Sequence, residues 1–217
     1  VNDFGLLNNA AGTITALINS GEISAGDDFG LQNRGIIGTI TNSGTISADA
    51  QFGLHNFDSS STITSLINTG TISAGTNNGL RNKGTIGTIT NSGRITAGTN
   101  FGLFNDTTGI ITALTNSGTI SAGGNFAINN LGSIGTLTNT GSISQIQSTG
   151  ISNAGIITTF NNLQGKFGSN PVTFTKSLPT NYNVIVNSTS DFGKIVFSDV
   201  SGAINFGVDS SSTLADV

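Results

Sequence analysis

The residues of this chain that could do chemistry are few and scattered. Asp27, Asp28 and Asp49 fall in neighbouring turns and could offer carboxylate oxygens to a calcium ion, a hard cation that takes several such ligands. The matching positions of the next turn are Thr76 and Asn77, so the acidic column stops and the three read as solvated loop acids. His55, the one histidine, stands in a column that runs Gln32, His55, Arg81, Phe104. That variety reads as plain exposed surface, not as the setting of a general base. Arg34, Arg81 and Lys83 form a short cationic strip suited to an anionic glycan. The chain has no Cys, which excludes a disulfide framework, a thiolate zinc site and a Cys nucleophile. We assign no catalytic, cofactor-binding or metal-binding residue, and expect a non-enzymatic protein without a cofactor.

Hydroxyl groups are more regular than charges. The pairs Glu22/Ser24, Thr45/Ser47, Thr71/Ser73, Arg94/Thr96, Thr119/Ser121 and Ser142/Ser144 predict a flat Thr-x-Ser array, interrupted by Glu22 and Arg94. A second array, Thr39/Thr41, Thr88/Thr90 and Thr136/Thr138, is regular only in alternate units. Flat Thr arrays on β-solenoids occur in ice-binding proteins, which these columns resemble locally; β-branched hydroxyls also simply suit exposed strands.

The elements that position these side chains come from a repeat. Asn19, Asn42, Asn68, Asn91, Asn116 and Asn139 each open an Asn-Ser-Gly or Asn-Thr-Gly corner, at spacings of 23, 26, 23, 25 and 23 residues. A second Asn corner lies within each unit, at Asn33, Asn56, Asn82 and Asn105. A fixed period near two dozen residues signals a solenoid. The units read Thr-Ile-Ser-Ala or Gly-Thr-Ile-Thr, short β-branched alternations broken by Gly and Asn, so the solenoid is built of strands. Ile23, Ile46, Ile72, Ile95, Ile120 and Ile143 point inward and the flanking hydroxyls outward. The corner Asn tolerates the left-handed conformation of a tight turn, and its amide can bond to the same amide one coil above. Phe4, Phe29, Phe52, Phe101 and Phe126, with Asn78 as the gap, share the parity of the following Leu or Ile and predict an internal aromatic stack.

Composition agrees with a narrow core. Apolar residues make up 35% and charged residues 8% of 217, which would be weak for a globule but suits one small Ile or Leu per short strand. Net charge is −4 with Lys and Arg scattered singly, so nucleic acid is not an expected partner. About seven coils rising about 4.8 Å each predict a rod of roughly 35 Å. Residue 1 is Val, Met is absent, and Phe4-Gly5-Leu6 matches Phe29-Gly30-Leu31; we therefore expect a processed fragment cut from further coils upstream. Between 142 and 168 the motif decays, and the coil is expected to narrow or end. Pro171, Pro179 and Tyr182 then mark a shift to stronger strands at 182–187, 194–197 and 203–208. Residues 1–168 are thus expected to form the repeats and 169–217 a β-rich cap that protects the last edge.

The Asn-Ser-Gly-x-Ile-Ser repeats, followed by Tyr182-Asn183-Val184-Ile185-Val186, Phe192-Gly193-Lys194-Ile195 and Phe206-Gly207-Val208-Asp209, resemble the passenger regions of bacterial autotransporters, the type V secretion proteins. The final segment is similar to the junction, or autochaperone, module that precedes their membrane β-barrel. The resemblance implies an all-β fold, a right-handed parallel β-helix with Asn ladders. It also implies secretion across the outer membrane, display on the bacterial cell surface, and a covalently linked barrel outside this stretch. Esterase and protease passengers carry a Gly-x-Ser-x-Gly nucleophile elbow, which is missing here. The functional expectation is a stalk or adhesin that meets a glycan, extracellular matrix or another copy of itself through many weak polar contacts. A structural filament or surface-layer subunit and an ice-binding protein are the alternatives.

Overall fold

The computed structural model describes residues 3–145, 150–165 and 170–213. The chain coils through three strands per turn. The first turn is β1 (Phe4–Asn8), β2 (Thr13–Asn19) and β3 (Glu22–Ala25), and the second is β4 (Phe29–Asn33), β5 (Ile36–Asn42) and β6 (Thr45–Ala48). The third is β7 (Phe52–Asn56), β8 (Thr62–Asn68) and β9 (Thr71–Ala74); the fourth is β10 (Asn78–Asn82), β11 (Thr85–Asn91) and β12 (Arg94–Ala97). The fifth is β13 (Leu103–Asn105), β14 (Ile110–Asn116) and β15 (Thr119–Ala122), and the sixth is β16 (Ile128–Asn130), β17 (Ser133–Asn139) and β18 (Ser142–Gln145). Three two-stranded turns follow: β19 (Ile151–Asn153) with β20 (Ile156–Asn162), β21 (Val172–Ser177) with β22 (Asn181–Val184), and β23 (Ile195–Ser201) with β24 (Asn205–Val208).

Like strands stack on like, always in parallel, into a nine-stranded first sheet from β1 to β23, a nine-stranded second sheet from β2 to β24 and a six-stranded third sheet from β3 to β18. The fold is a parallel β-solenoid of about nine turns, against the seven or so coils expected. The two extra turns arise because β21 to β24 continue the first two sheets in parallel after the Asn-Ser-Gly signal has faded. The narrowing is confined to the third sheet, which stops at β18. The expected boundary at 168/169 lies outside the described residues.

One aliphatic column per strand position fills the interior. Leu31, Leu54 and Leu80 come from the first sheet, Ile37, Ile63 and Ile86 with Ile40, Leu66 and Ile89 from the second, and Ile46, Ile72 and Ile95 from the third; all are 0–1% exposed. In β20 to β22 the filling becomes aromatic, with Phe160, Phe174 and Tyr182 packed ring to ring.

The corner asparagines do form ladders. Asn8, Asn33, Asn56, Asn82, Asn105 and Asn130 each donate from Nδ2 to the Oδ1 of the next, at 2.7–2.9 Å, and Asn153 ends the ladder by donating to Ser177 O. A second ladder climbs from Asn19 to Asn162 through the Asn-Ser-Gly corners. The left-handed reason for Asn fails, however: among the described residues only Lys176 and Asp199 have positive φ outside glycine. Asn is specified because its amide is both donor and acceptor, so a buried column satisfies itself at every level.

The Phe column is also corrected. Phe4, Phe29 and Phe52 stack with centroids 5.5 Å apart, and Phe101 on Phe126 at 6.0 Å, but on the outside of the first sheet. None of these rings belongs to the interior cluster. A Cβ placed on Gly30 would lie 2.6 Å from Ser47 O of the third sheet, so the lumen there has no room for a ring. The bend at this glycine breaks the alternation of the strand, and Phe29 turns outward while Leu31 turns in.

Candidate functional site

Three outward columns run side by side along the first sheet: the Phe column, the column through His55, and one just past the Asn corner that holds Arg34, Phe57, Lys83 and Asp106. The register is fixed by backbone pairing, Gln32 on His55, His55 on Arg81, Arg81 on Phe104, Phe104 on Asn129 and Asn129 on Ser152. The residue type in this column changes at every coil. All seven Phe residues that precede position 150 lie on this face.

The sequence reading of the His55 column as exposed surface is overturned. Gln32 is 0% and His55 3% exposed, because flanking rings cover them. The imidazole sits 4.8 Å from the Phe52 ring, 5.4 Å from Phe29 and 5.3 Å from Phe57. Gln32 Nε2 lies 3.5 Å from His55 Nδ1, so Nδ1 accepts and the proton of the neutral ring sits on Nε2. That burial, reinforced by the charges of Arg81, Lys83 and Arg34, lowers the His55 pKa to about 3. The ring stays neutral at ordinary pH, and its setting is a cationic one in an acidic protein.

The three cations expected as a strip do gather around this ring. Arg34 places its guanidinium 4.3 Å from the Phe57 centroid and donates from Nε to Gln32 Oε1 at 2.7 Å; Lys83 approaches the same ring from the other side at 5.9 Å. Arg81 lies between Phe52 and Phe104 and pairs with Asp106 at 2.6 Å. Burial pushes the Asp106 carboxyl up, but the Arg81 hydrogen bond, the Thr107 N–H and the nearby charges outweigh it and hold it below the usual carboxylate range. Asp106 therefore answers one of the three charges. No other ion pair forms among the described residues, so Arg34 and Lys83 face outward without an acidic partner.

Five buried side-chain polar atoms lack a hydrogen-bond partner among the described residues, and four lie on this one sheet: His55 Nε2, Arg81 Nε, Asn129 Oδ1 and Ser152 Oγ. All four belong to a single column. Buried polar atoms are nearly always satisfied, so the alignment of four that are not sets this column apart from the rest of the solenoid. Asn129 and Ser152 were missed in the sequence, because the Asn-Ser-Gly alignment hides a column one residue upstream of the other Asn corner. Phe57 could have been found by setting it in register with Arg34 and Lys83.

The other sequence candidates are not brought together. Asp28 accepts from the backbone N–H of Asp3 at 3.2 Å and from Gln51 Nε2 at 3.4 Å, while Asp27 and Asp49 are exposed. Among the described residues no three His, Cys, Asp or Glu side chains assemble around a common point. The Thr-x-Ser pairs do stack in register on the third sheet, with Glu22 on Thr45 and Arg94 between Thr71 and Thr119. The second Thr array stacks on the second sheet, Thr39 and Thr88 on either side of Ser65, and Thr41 and Thr90 on either side of Ile67. Compared with known proteins, the chain matches no family model, no curated protein and no solved structure.

Proposed function

We propose that the chain is a non-enzymatic surface rod, the stalk or adhesin part of an autotransporter-type passenger, and that it binds an extended acidic glycan along the outer face of its first sheet. The observation that carries this reading is the column of four unpartnered polar atoms flanked by aromatic rings. From His55 to Ser152 it crosses four coil steps, about 19 Å at about 4.8 Å per step, the reach of a short run of sugars. Rings offer flat apolar faces to the sugar carbons. The N–H groups of His55 and Arg81 and the acceptor of Asn129 match hydroxyls, while Arg34 and Lys83 match a carboxylate or sulfate. Affinity would accumulate from weak contacts in successive coils.

The test is a glycan and matrix array probed with the whole chain, followed by titration of the best hit. Binding to acidic glycans is expected, weakened by salt and reduced at least about tenfold in Arg34→Ala with Lys83→Ala. Binding that survives this pair and also His55→Phe would place the site elsewhere. Silence across the array would leave the chain as a stalk.

A further inference from the structure

We infer that two copies of this chain pair side by side through the outer face of the second sheet, coil opposite coil, about a two-fold axis parallel to the rod. This surface is separate from the glycan face and the inference does not rest on that reading.

None of the nine strands of the second sheet contains Asp, Glu, Lys or Arg. Laying one such face on another therefore brings no like charges together and buries no unpaired ion. Seven of the eight large exposed apolar side chains are in these strands: Phe206 and Val208 stack on Tyr182 and Val184 in the last coil, and Ile18 (76% exposed), Ile36 (49%), Ile67 (37%), Ile110 (48%) and Ile156 (60%) stand on the outer face.

The partner is named by the pattern of large and small residues. Each strand has two outer positions, near its start and near its end, and the large residue changes side through the first three coils and stands at the start in the fifth and seventh. The first coil has Thr13 and Ile18, the second Ile36 and Thr41, the third Thr62 and Ile67. Ile110 and Ile156 likewise share their strands with Thr115 and Asn161. No strand from β2 to β20 has an exposed Ile at both positions. A two-fold axis along the rod sets the start column of one copy against the end column of the other at the same height. Every protruding Ile then meets a shorter polar side chain of its own coil in the partner.

The two central positions repeat the rule. Thr15 would oppose Ala16, Gly38 would oppose Thr39, and Thr112 would oppose Ala113, so small again meets larger there, while the seventh coil sets Thr158 against Thr159. A face that complements itself at four positions in successive coils is an isologous interface. Seven strands about 4.8 Å apart and about 23 Å long give roughly 750 Å² per copy, close to the roughly 800 Å² of a standard stable interface. An antiparallel pair, coil one on coil seven, would still set each Ile against a shorter side chain, but it would lay Gly38 on Gly135 and Thr39 on Thr136, so the central match would be lost.

Sedimentation of the full chain over a concentration series should show a monomer–dimer equilibrium. Ile36→Lys with Ile67→Lys, both at exposed positions, should keep the circular dichroism spectrum and weaken association at least about 100-fold, because two ammonium groups per copy would be buried unpaired. The chain has no cysteine, so orientation is readable directly. A mixture of Thr62→Cys and Ile67→Cys should form the mixed disulfide in preference to either homodimer. A strict monomer at millimolar concentration, association indifferent to the two Lys changes, or crosslinking between Ile18→Cys and Asn161→Cys would overturn the proposal. So would a monomer that instead adsorbs to ice or to a crystalline polysaccharide through this face.

Discussion

The imidazole of His55 stands edge-on to the ring of Phe52, 4.8 Å between centroids, and that contact seals the only histidine of the chain away from water. The folded ring holds its proton only below about pH 3, against an ordinary 6.5. A lowered histidine pKa means that the unfolded chain binds the proton first, so stability is whole above about pH 6.5 and falls as pH drops toward 3. Between about pH 6.5 and 4.5 the depressed carboxyls of Asp58 and Asp106 have not begun to titrate. The melting temperature in that window should decline in the natural chain and stay level in His55→Gln, which extends the Gln32 column. Equal slopes would show that His55 is not sealed.

Asn91 accepts from Asn68 and donates to Asn116, both at 2.7 Å, and is 0% exposed. Asn91→Ala should cost about 2–4 kcal/mol in thermal or chemical unfolding, since two buried neighbours lose their partner together. The outer ladder Asn77, Asn100, Asn125 has similar bonds in a more exposed setting. There Asn100→Ala should cost no more than about 1 kcal/mol. A similar loss at both sites would mean that burial does not set the worth of the ladder.

Gly21 and Gly93 occupy the same place in the repeat, yet their surroundings differ. A Cβ on Gly93 would collide with Gly70 O of the preceding coil, whereas one on Gly21 meets nothing within 4 Å. Gly93→Ala should therefore destabilise by more than about 2 kcal/mol and Gly21→Ala by less than about 0.5 kcal/mol. The comparison isolates close backbone approach from glycine's chain flexibility, which both changes alter alike.

Phe160 is wholly buried between Phe174 and Tyr182. In a solenoid each coil contacts only its neighbours, so damage stays local. Phe160→Ala should cost about 3–5 kcal/mol in the late coils. Amide exchange should quicken in β20 to β24 while β5 to β14 keep their protection. Uniform loss of protection would show one cooperative unit instead.

Much of this molecule is written in its order of residues, since in a repeat every coil states the same rule again. The Asn spacings set the coil, the Thr-Ile-Ser alternation its inward and outward sides, and the absence of charge its narrow aliphatic core. The pairing of like strands follows from those spacings alone, because successive copies can align only with themselves. Wherever the third dimension brought unlike elements together, the sequence was silent. Nothing local says that Gly30 abuts Ser47, so parity placed Phe29 inside when the crowded lumen forces it out. That single reversal carries the rest: Phe29 and Phe52 outside cover His55, turning an apparently exposed histidine into a neutral buried ring. They also help to set Arg34, Arg81 and Lys83 around one aromatic layer. The last coils were hidden for a related reason, because β21 to β24 keep the parallel pairing of the solenoid, with one register shift at Thr175/Lys176, after their side chains have left its motif. Spacing determined what repeats, and packing between different columns decided which side chains are sealed from water and which charges gather on one face.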